Sequence, residues 1–418
     1  MKNTIKILAP DVSQNRIEYR YEIKGEWSEA FNENENFYIE YSCDISNVPE
    51  SIAVIPLLCN ILPISWIYDA EIFLESCDKA FYDSITEFKK GYMDMYPQIN
   101  FLGKIHADKL ENNSYSENNG AAAFFSGGVD AFNTLVNHAE EKPVLLTLWG
   151  ADVKLDDVSG WKNVENHIEN TAATFGTDYV TIKSCFRQFL NVVPLNKKVY
   201  DKAKDSWWHG FQHGIGIIGH AAPVCYTMNR TVVYFASSNT ANEKGVVTCA
   251  SDPTIDNYVK FGDSQIVHDG YEFDRQDKVH NIVEYSKKTG IKIPLRVCWQ
   301  STGGKNCCQC EKCWRTILEI IAEGEEPKNY DMDYTRTQMK NFYKLFYSYT
   351  SSNIPVYLRG YYYRTQQLMR KNIKPESLPK ELHRFYKIDI KKFLQHPYRA
   401  FFRKCRNKVN SIAKKIVK

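Results

Sequence analysis

The chain has 418 residues, and its 53 Lys plus Arg against 50 Asp plus Glu give a formal net charge of +3. That length predicts two or three domains, and so balanced a charge argues against a general nucleic-acid binder. A hydrophobic share of 43% and an aromatic share of 14% supply a sizeable core and exclude global disorder.

Residues 1–119 read as an α+β N-terminal domain without a chemical motif. The opening MKNTIKILAP has too short an apolar run for a secretory signal. Ile17, Tyr19, Tyr21 and Ile23 take every second position, as in one half-buried strand, and Phe37–Cys43 is a second strand. Ser51–Ile67 is the most apolar stretch. It falls short of the ~20 residues a membrane span needs and carries Pro56 and Pro63, so it reads as a buried helix. DKAFYDSITEFKKGYMDMY is helical, and the polar KLENNSYSENNG closes the domain as a linker.

Residues 120–324 alternate strands with helices. Ala121–Phe125, Val144–Trp149, Asp178–Ser184 and Thr231–Ala236 are apolar strands. Asp130–Glu141, Trp161–Phe175 and Trp207–Ala222 are the helices between them. The alternation predicts an α/β, Rossmann-like parallel sheet with right-handed crossovers, whose ligands bind beyond the carboxyl ends of the strands.

The first strand runs directly into Ser126-Gly127-Gly128-Val129-Asp130, where a helix begins. Two glycines permit a sharp turn and close backbone approach to a ligand. Amides at the helix start, with the positive end of the helix dipole, favour a phosphate there. Ser126 adds a hydroxyl, and Asp130 caps the helix or holds a magnesium ion carried by phosphates. No G-x-x-x-x-G-K-[ST] occurs. Gly214, Gly216 and Gly219 spell G-x-G-x-x-G, but inside a helical segment with no strand before it, so close packing of that helix on the sheet explains them better.

Four of the 12 cysteines, Cys298, Cys307, Cys310 and Cys313, make C-x8-C-x2-C-x2-C. Four thiolates at this spacing suit one tetrahedral Zn²⁺, with all positions filled and a structural role; an iron–sulfur cluster is the rival. Cys308 is a bystander. Clustered cysteines in a chain this long mean metal rather than disulfides, which makes a reducing cytoplasm the expected location.

Residues 325–418 read as a helical C-terminal region rich in Tyr. From Lys387 on it carries a charge of +10, and Tyr398, Phe402, Cys405, Val409, Ile412 and Ile416 recur every three or four positions. This is a basic amphipathic helix that either docks on its own protein or meets an anionic partner, RNA or a membrane surface.

SGGVDA resembles the pyrophosphate-binding SGGxDS loop of the ATP pyrophosphatase (PP-loop) superfamily, with Ala131 in place of the last serine. Together with the cysteine spacing it is similar to the 7-cyano-7-deazaguanine synthase family over about residues 119–320. Asp277-Lys278 and Asp256 match that family's Asp-Lys pair and substrate-loop aspartate. His213-Gly214 and Trp149-Gly150-Ala151-Asp152 depart from it, as does the long segment before the loop.

The resemblance implies a PP-loop, adenine nucleotide alpha hydrolase-type fold and an ATP-dependent, AMP-forming ligase or synthase. A small acid, deazaguanine-like or other, is adenylated and then attacked by ammonia or an amine. Ser126, Gly127, Gly128, Val129 and Asp130 would hold the pyrophosphate with Mg²⁺. Trp149, Gly150 and Ala151 would border the adenine, and Ser237, Ser238 and Asn239 would face the same cleft. Arg275 and Lys278 would contact phosphate or carboxylate, with Asp256 on the substrate. Alternatives are a tRNA-base-modifying PP-loop enzyme, with Cys185 or Cys249 as its thiol, and a non-catalytic nucleotide-binding protein; a protein amine is another acceptor. His209 and His213 share a helical face, but HGFQH lacks the Glu of a zinc-protease helix, so they read as packing residues. His268-Asp269 reads as a turn or a substrate-orienting pair.

Overall fold

The computed structural model describes residues 2–33, 35–116, 120–298, 303–348 and 356–395. The chain forms two compact units: Met1–Asp274 with Thr302–Gly304, and Arg275–Ser301 with Lys305–Lys418. This division differs from the three compositional zones, because N-terminal strands join the large sheet while the cysteine segment belongs with the C-terminal helices.

Thirteen described strands lie in the first unit: β1 (Thr4–Ile7), β2 (Asp11–Val12), β3 (Arg16–Glu18), β4 (Tyr21–Lys24), β5 (Tyr38–Tyr41), β6 (Glu71–Asp78), β7 (Lys104–Glu111), β8 (Ala121–Phe124), β9 (Val144–Trp149), β10 (Tyr179–Ser184), β11 (Val232–Ala236), β12 (Lys260–Phe261) and β13 (Ser264–Asp269). They make a four-stranded sheet, β4-β1-β6-β7, and a nine-stranded sheet, β12-β13-β11-β8-β9-β10-β5-β3-β2. In the larger sheet β13, β11, β8, β9 and β10 are mutually parallel, with antiparallel strands added at both ends. Counted in chain order, the parallel strands run 5-4-1-2-3. The order reverses at β8, and the crevice beyond β8 and β11 is the topological switch point where ligands bind in such sheets. β8 is buried along its whole length, as a central parallel strand must be; its three alanines let neighbouring layers approach closely.

Several expectations change. The single strand over residues 17–23 is two: β3 pairs in the large sheet and β4 in the small one, with the chain crossing between them at Tyr19-Arg20. Tyr19 is buried at the crossing and donates from its hydroxyl to the Ala53 carbonyl. The stretch read as a linker begins inside β7. It is then fastened by Asn113, which donates to Asp78, and by the Tyr115 amide, which donates to Asp263. Asp78 is wholly buried and also accepts from the Phe81 and Gly262 amides, so one carboxylate joins a helix start, this segment and the β12–β13 hairpin.

The apolar stretch forms helices Glu50–Ala53 and Ile55–Ile67, the latter buried on nearly every side, and no described helix is long and apolar enough to cross a membrane. Lys79–Met95 is helical as expected, capped by Asp78. The helix expected over Trp207–Ala222 is broken into a π-type turn at Trp208–Gln212 and helices Ile215–Ile218 and Ala221–Met228. The break falls at Gly214, with φ +70°, where a Cβ would stand 2.6 Å from the Ala250 carbonyl oxygen. Gly216 and Gly219 do serve close packing, but against Asn60 and Cys59 of the Ile55–Ile67 helix rather than the sheet. Sequence periodicity also missed the Val192–Ala203 helix and β13, whose polar SQIVHD lacks an apolar run.

The second unit is helical, built on Arg275–Thr289, Glu311–Ala322, Arg336–Ser348 and Val356–Asn372. Trp314 stacks on Phe342, and Phe346 stacks on Phe393. The basic helix expected over the last residues lies, from residue 396 on, outside the described residues.

Candidate functional site

β8 ends at Phe124, and Phe125 is locked to β9 from both sides: its amide donates to the Leu146 carbonyl, and its carbonyl accepts from the Thr147 hydroxyl at 2.6 Å. Gly127 then turns with φ +75°, a conformation that disfavours any residue with a Cβ. Gly128 starts the Val129–Asn137 helix without a side-chain cap, and its amide donates to the Ser126 hydroxyl at 3.4 Å. An uncapped helix start after a left-handed glycine is the cradle that the phosphate reading requires. Ser126 is exposed, Asp130 lies in the first helical turn, and Ala131 faces the interior.

β11 runs parallel to β8 with Tyr234 opposite Ala123, so continuing the register brings Ser237 level with Ser126. Ser237 is buried; its hydroxyl donates to the Asn239 carbonyl and its amide to the Asp269 carbonyl. Ser238 beside it is exposed. On the other flank β9 ends in Trp149-Gly150. Gly150 has φ +110°, and a Cβ there would lie 2.0 Å from the Ser184 carbonyl oxygen. Trp149 stacks on Trp161 at 5.1 Å, and the Ala151 carbonyl accepts from Arg187. The three segments expected around a nucleotide thus lie at the carboxyl ends of three adjacent strands.

Behind the loop, Asp269 at the end of β13 accepts from the Thr134 hydroxyl at 2.6 Å and bonds His138 at 2.9 Å, while Glu141 accepts from the Tyr234 hydroxyl. Burial alone would lower the His138 pKa, but the bonds to Asp269 and Glu141 raise it above its usual value. Asp269 therefore fixes the helix that follows the Gly127-Gly128 turn.

The other candidates have partners of their own. Asp256 is fully buried, hydrogen-bonded to His268 at 2.8 Å and to the Ser251 hydroxyl at 3.0 Å, and burial raises its pKa. One of its oxygens, Oδ1, has no hydrogen-bond partner. Asp256 thus positions the Ser251 segment through its bonds. Arg275 and Lys278 belong to the second unit. Arg275 bonds Glu319 at 3.1 Å and the Thr316 hydroxyl at 2.8 Å, and Lys278 is 2% exposed.

The second unit also holds the cysteines. The sulfurs of Cys298, Cys307, Cys310 and Cys313 all lie within 4.8 Å of one another, with Cys298–Cys310 and Cys307–Cys313 each at 3.9 Å. Four sulfurs ~2.3 Å from one zinc stand about 3.8 Å apart, so the set could hold that ion. Asn306 shapes the loop: its Oδ1 accepts from the Val297 and Cys298 amides and its Nδ2 donates to the Leu295 and Asp331 carbonyls. Cys310 stands at the N-cap position of the Glu311–Ala322 helix, without a side-chain capping bond, and Cys308 occupies a left-handed turn outside the set.

One cluster was not assembled from the sequence. The break at Gly214 sets His213 beside Cys249, with Nδ1 and Sγ 3.8 Å apart, and His209 bonds Asp205 at 2.9 Å. The His209/His213 spacing was the only local signal; Asp205 and Cys249 come from other segments. No protein-family model, curated protein or solved structure matches this chain.

Proposed function

We propose that the carboxyl edge of the parallel sheet binds ATP with Mg²⁺, and that the protein is an AMP-forming enzyme that adenylates a carboxylate for attack by ammonia or an amine. The observation that carries this reading is the left-handed glycine turn opening an uncapped helix, side by side with Ser237 at the switch point of the sheet.

In this reading the substrate carboxylate attacks the α-phosphorus of ATP, and pyrophosphate leaves with the electron pair of the broken bond. The loop amides and Ser126 hold the pyrophosphate in the charge state it gains as it departs, so they act most strongly in the transition state. Asp130, in the first turn, would hold Mg²⁺, which neutralises the phosphate charge. Trp149 and Gly150 would border the base and Ser237–Asn239 the other wall. The Asp269–Thr134–His138 bonds keep the loop helix from shifting as the bond breaks. A zinc ion on the four cysteines has no open position for water and would serve structure.

Calorimetric titration of ATP with Mg²⁺ into the zinc-loaded chain tests the reading, followed by exchange of labelled pyrophosphate into ATP with pools of small acids. Binding, and exchange that depends on an acid, are expected. A folded chain that takes up no ATP would overturn the reading.

A further inference from the structure

We propose that Cys249 is a nucleophile that accepts an acyl group as a thioester, with His213 and His209 as its imidazole partners and Asp205 orienting His209. The acyl donor, an acyl adenylate, rests on the function proposed above; the nucleophile rests on its own geometry.

The cluster is held from several directions. The His209 carbonyl accepts from the Ala250 amide, and Gly214 packs on the Ala250 backbone, so the imidazole segment and the cysteine segment are joined through main chain. Asp205 accepts from the Thr248 and Tyr96 hydroxyls as well as from His209, and Asp256 holds Ser251 two residues beyond the thiol. His209 sits in the π-type turn, a helix irregularity frequent at functional sites.

Contacts link the cluster to the edge that carries the phosphate loop. Ala151, after β9, binds Arg187, after β10; the Arg187 guanidinium lies 4.0 Å over Trp208; and Trp208 meets His213 edge-on at 5.2 Å. Among the described residues only Cys298, Cys307, Cys310 and Cys313 converge as metal ligands, so Cys249 and its histidines do not form a metal cage.

The electrostatics agree with the geometry. Burial would push the Cys249 thiol up, but the neighbouring His209 and His213 imidazoles hold it down at about 6. His209 is pushed up to about 10, first by Asp205 and then by Cys249. Of the other groups facing the site, Asp152 raises His213, while Tyr92 and Tyr96 are kept protonated by burial. The pair is therefore a thiolate beside imidazolium at neutral pH, the state in which cysteine attacks carbonyl carbon. Buried Cys185, by contrast, is pushed up to about 11.

The thiolate attacks the acyl carbon of the adenylate; the carbon–sulfur bond forms, the carbon–oxygen bond to phosphate breaks, and AMP leaves with the electron pair. An amine then attacks the thioester; the carbon–nitrogen bond forms, sulfur leaves as thiolate beside the imidazolium, and the surplus amine proton passes to water. No oxidant or reductant is needed.

Two probes test the nucleophile without ATP. Iodoacetamide labelling, mapped by peptide mass spectrometry across pH, should modify Cys249 with a midpoint near 6. His213→Gln should move that midpoint toward the ordinary thiol range and slow labelling at neutral pH about tenfold or more. p-Nitrophenyl acetate should leave a hydroxylamine-sensitive acetyl group on Cys249 and none on Cys249→Ser, with zinc content and melting temperature reporting the fold of both variants. Labelling of Cys249 with an ordinary thiol midpoint, or acetylation that persists in Cys249→Ser, overturns the proposal. If Cys249 passes both tests while acid-dependent pyrophosphate exchange is absent, the adenylation reading fails and the nucleophile stands. If exchange persists in Cys249→Ser but amide formation stops, both stand.

Discussion

The two sets of cysteines differ in what surrounds each sulfur. In the second unit, four thiols face one another within 4.8 Å, an arrangement with no internal source of positive charge. In the first unit, a single thiol faces two imidazoles backed by a carboxylate. Clustered thiolates repel unless a cation joins them, whereas a thiolate beside imidazolium is already neutralised. The first set therefore suits a metal ion and the second suits an attack on carbon.

The largest effect expected is on the first set. Replacing Cys310 and Cys313 together by Ser should abolish zinc binding, read as metal per chain by mass spectrometry. The second unit should lose its cooperative melting, since apparent binding free energies of structural zinc run at roughly 10–16 kcal/mol in small domains. Retention of metal by the double variant would remove the contrast between the two sets.

Next is the buried pair that stands near the cysteines in sequence. Burial pushes Glu319 up to about 7 even with Arg275 and Arg315 opposing it. Arg275→Met leaves that carboxylate without its closest partner and should destabilise by about 3–5 kcal/mol. A carboxyl whose folded pKa lies above its unfolded value binds more protons when folded, so the loss should be worst at pH 8 and smaller at pH 5.5. Urea unfolding at the two values measures this.

On the other side of the comparison, Gly127→Val places a β-branched residue at φ +75°, with a conformational cost of roughly 1–2 kcal/mol. ATP affinity should fall at least tenfold with zinc content unchanged, which calorimetry and metal analysis together would show. The smallest effect is at His138. Its folded pKa is raised, so the protonated ring contributes stability that is full below the unfolded value of about 6.5 and fades as pH rises through the folded one. His138→Gln should therefore cost more at pH 5.5 than at pH 8.5 in melting experiments; an equal loss at both would detach the ring from Asp269.

What could be read from the chain follows the range of the interactions. β8, β9 and β11 were legible because each is a local apolar run bounded by turn residues, β10 because its apolar residues alternate with polar ones, and the four-cysteine set because its members fall within sixteen positions. The strand–turn–helix connection at Ser126 to Asp130 was legible because its residues are contiguous. The cysteine–imidazole cluster was not. Its members come from the Asp205–His213 segment and the Cys249 loop, and the helical period drawn through Trp207–Ala222 concealed the break at Gly214 that brings them together. Asp256 shows the opposite failure: the residue was singled out, but its burial against His268 depends on β13, whose polar sequence gave no strand signal.

The crossing at Tyr19-Arg20 bears on how this chain is made. β3 and β5 belong to the sheet seeded by β8 to β10, and Tyr41 pairs with Ile182, about 140 residues later. A ribosome thus releases these strands long before their neighbour exists, leaving exposed hydrogen-bonding edges that other nascent chains can capture. β10 in turn has no partner on its outer side until the beginning of the chain returns. Trimming the first fifty residues would therefore leave an open edge on the central sheet, and the shortened protein should precipitate rather than persist as a free-standing α/β module.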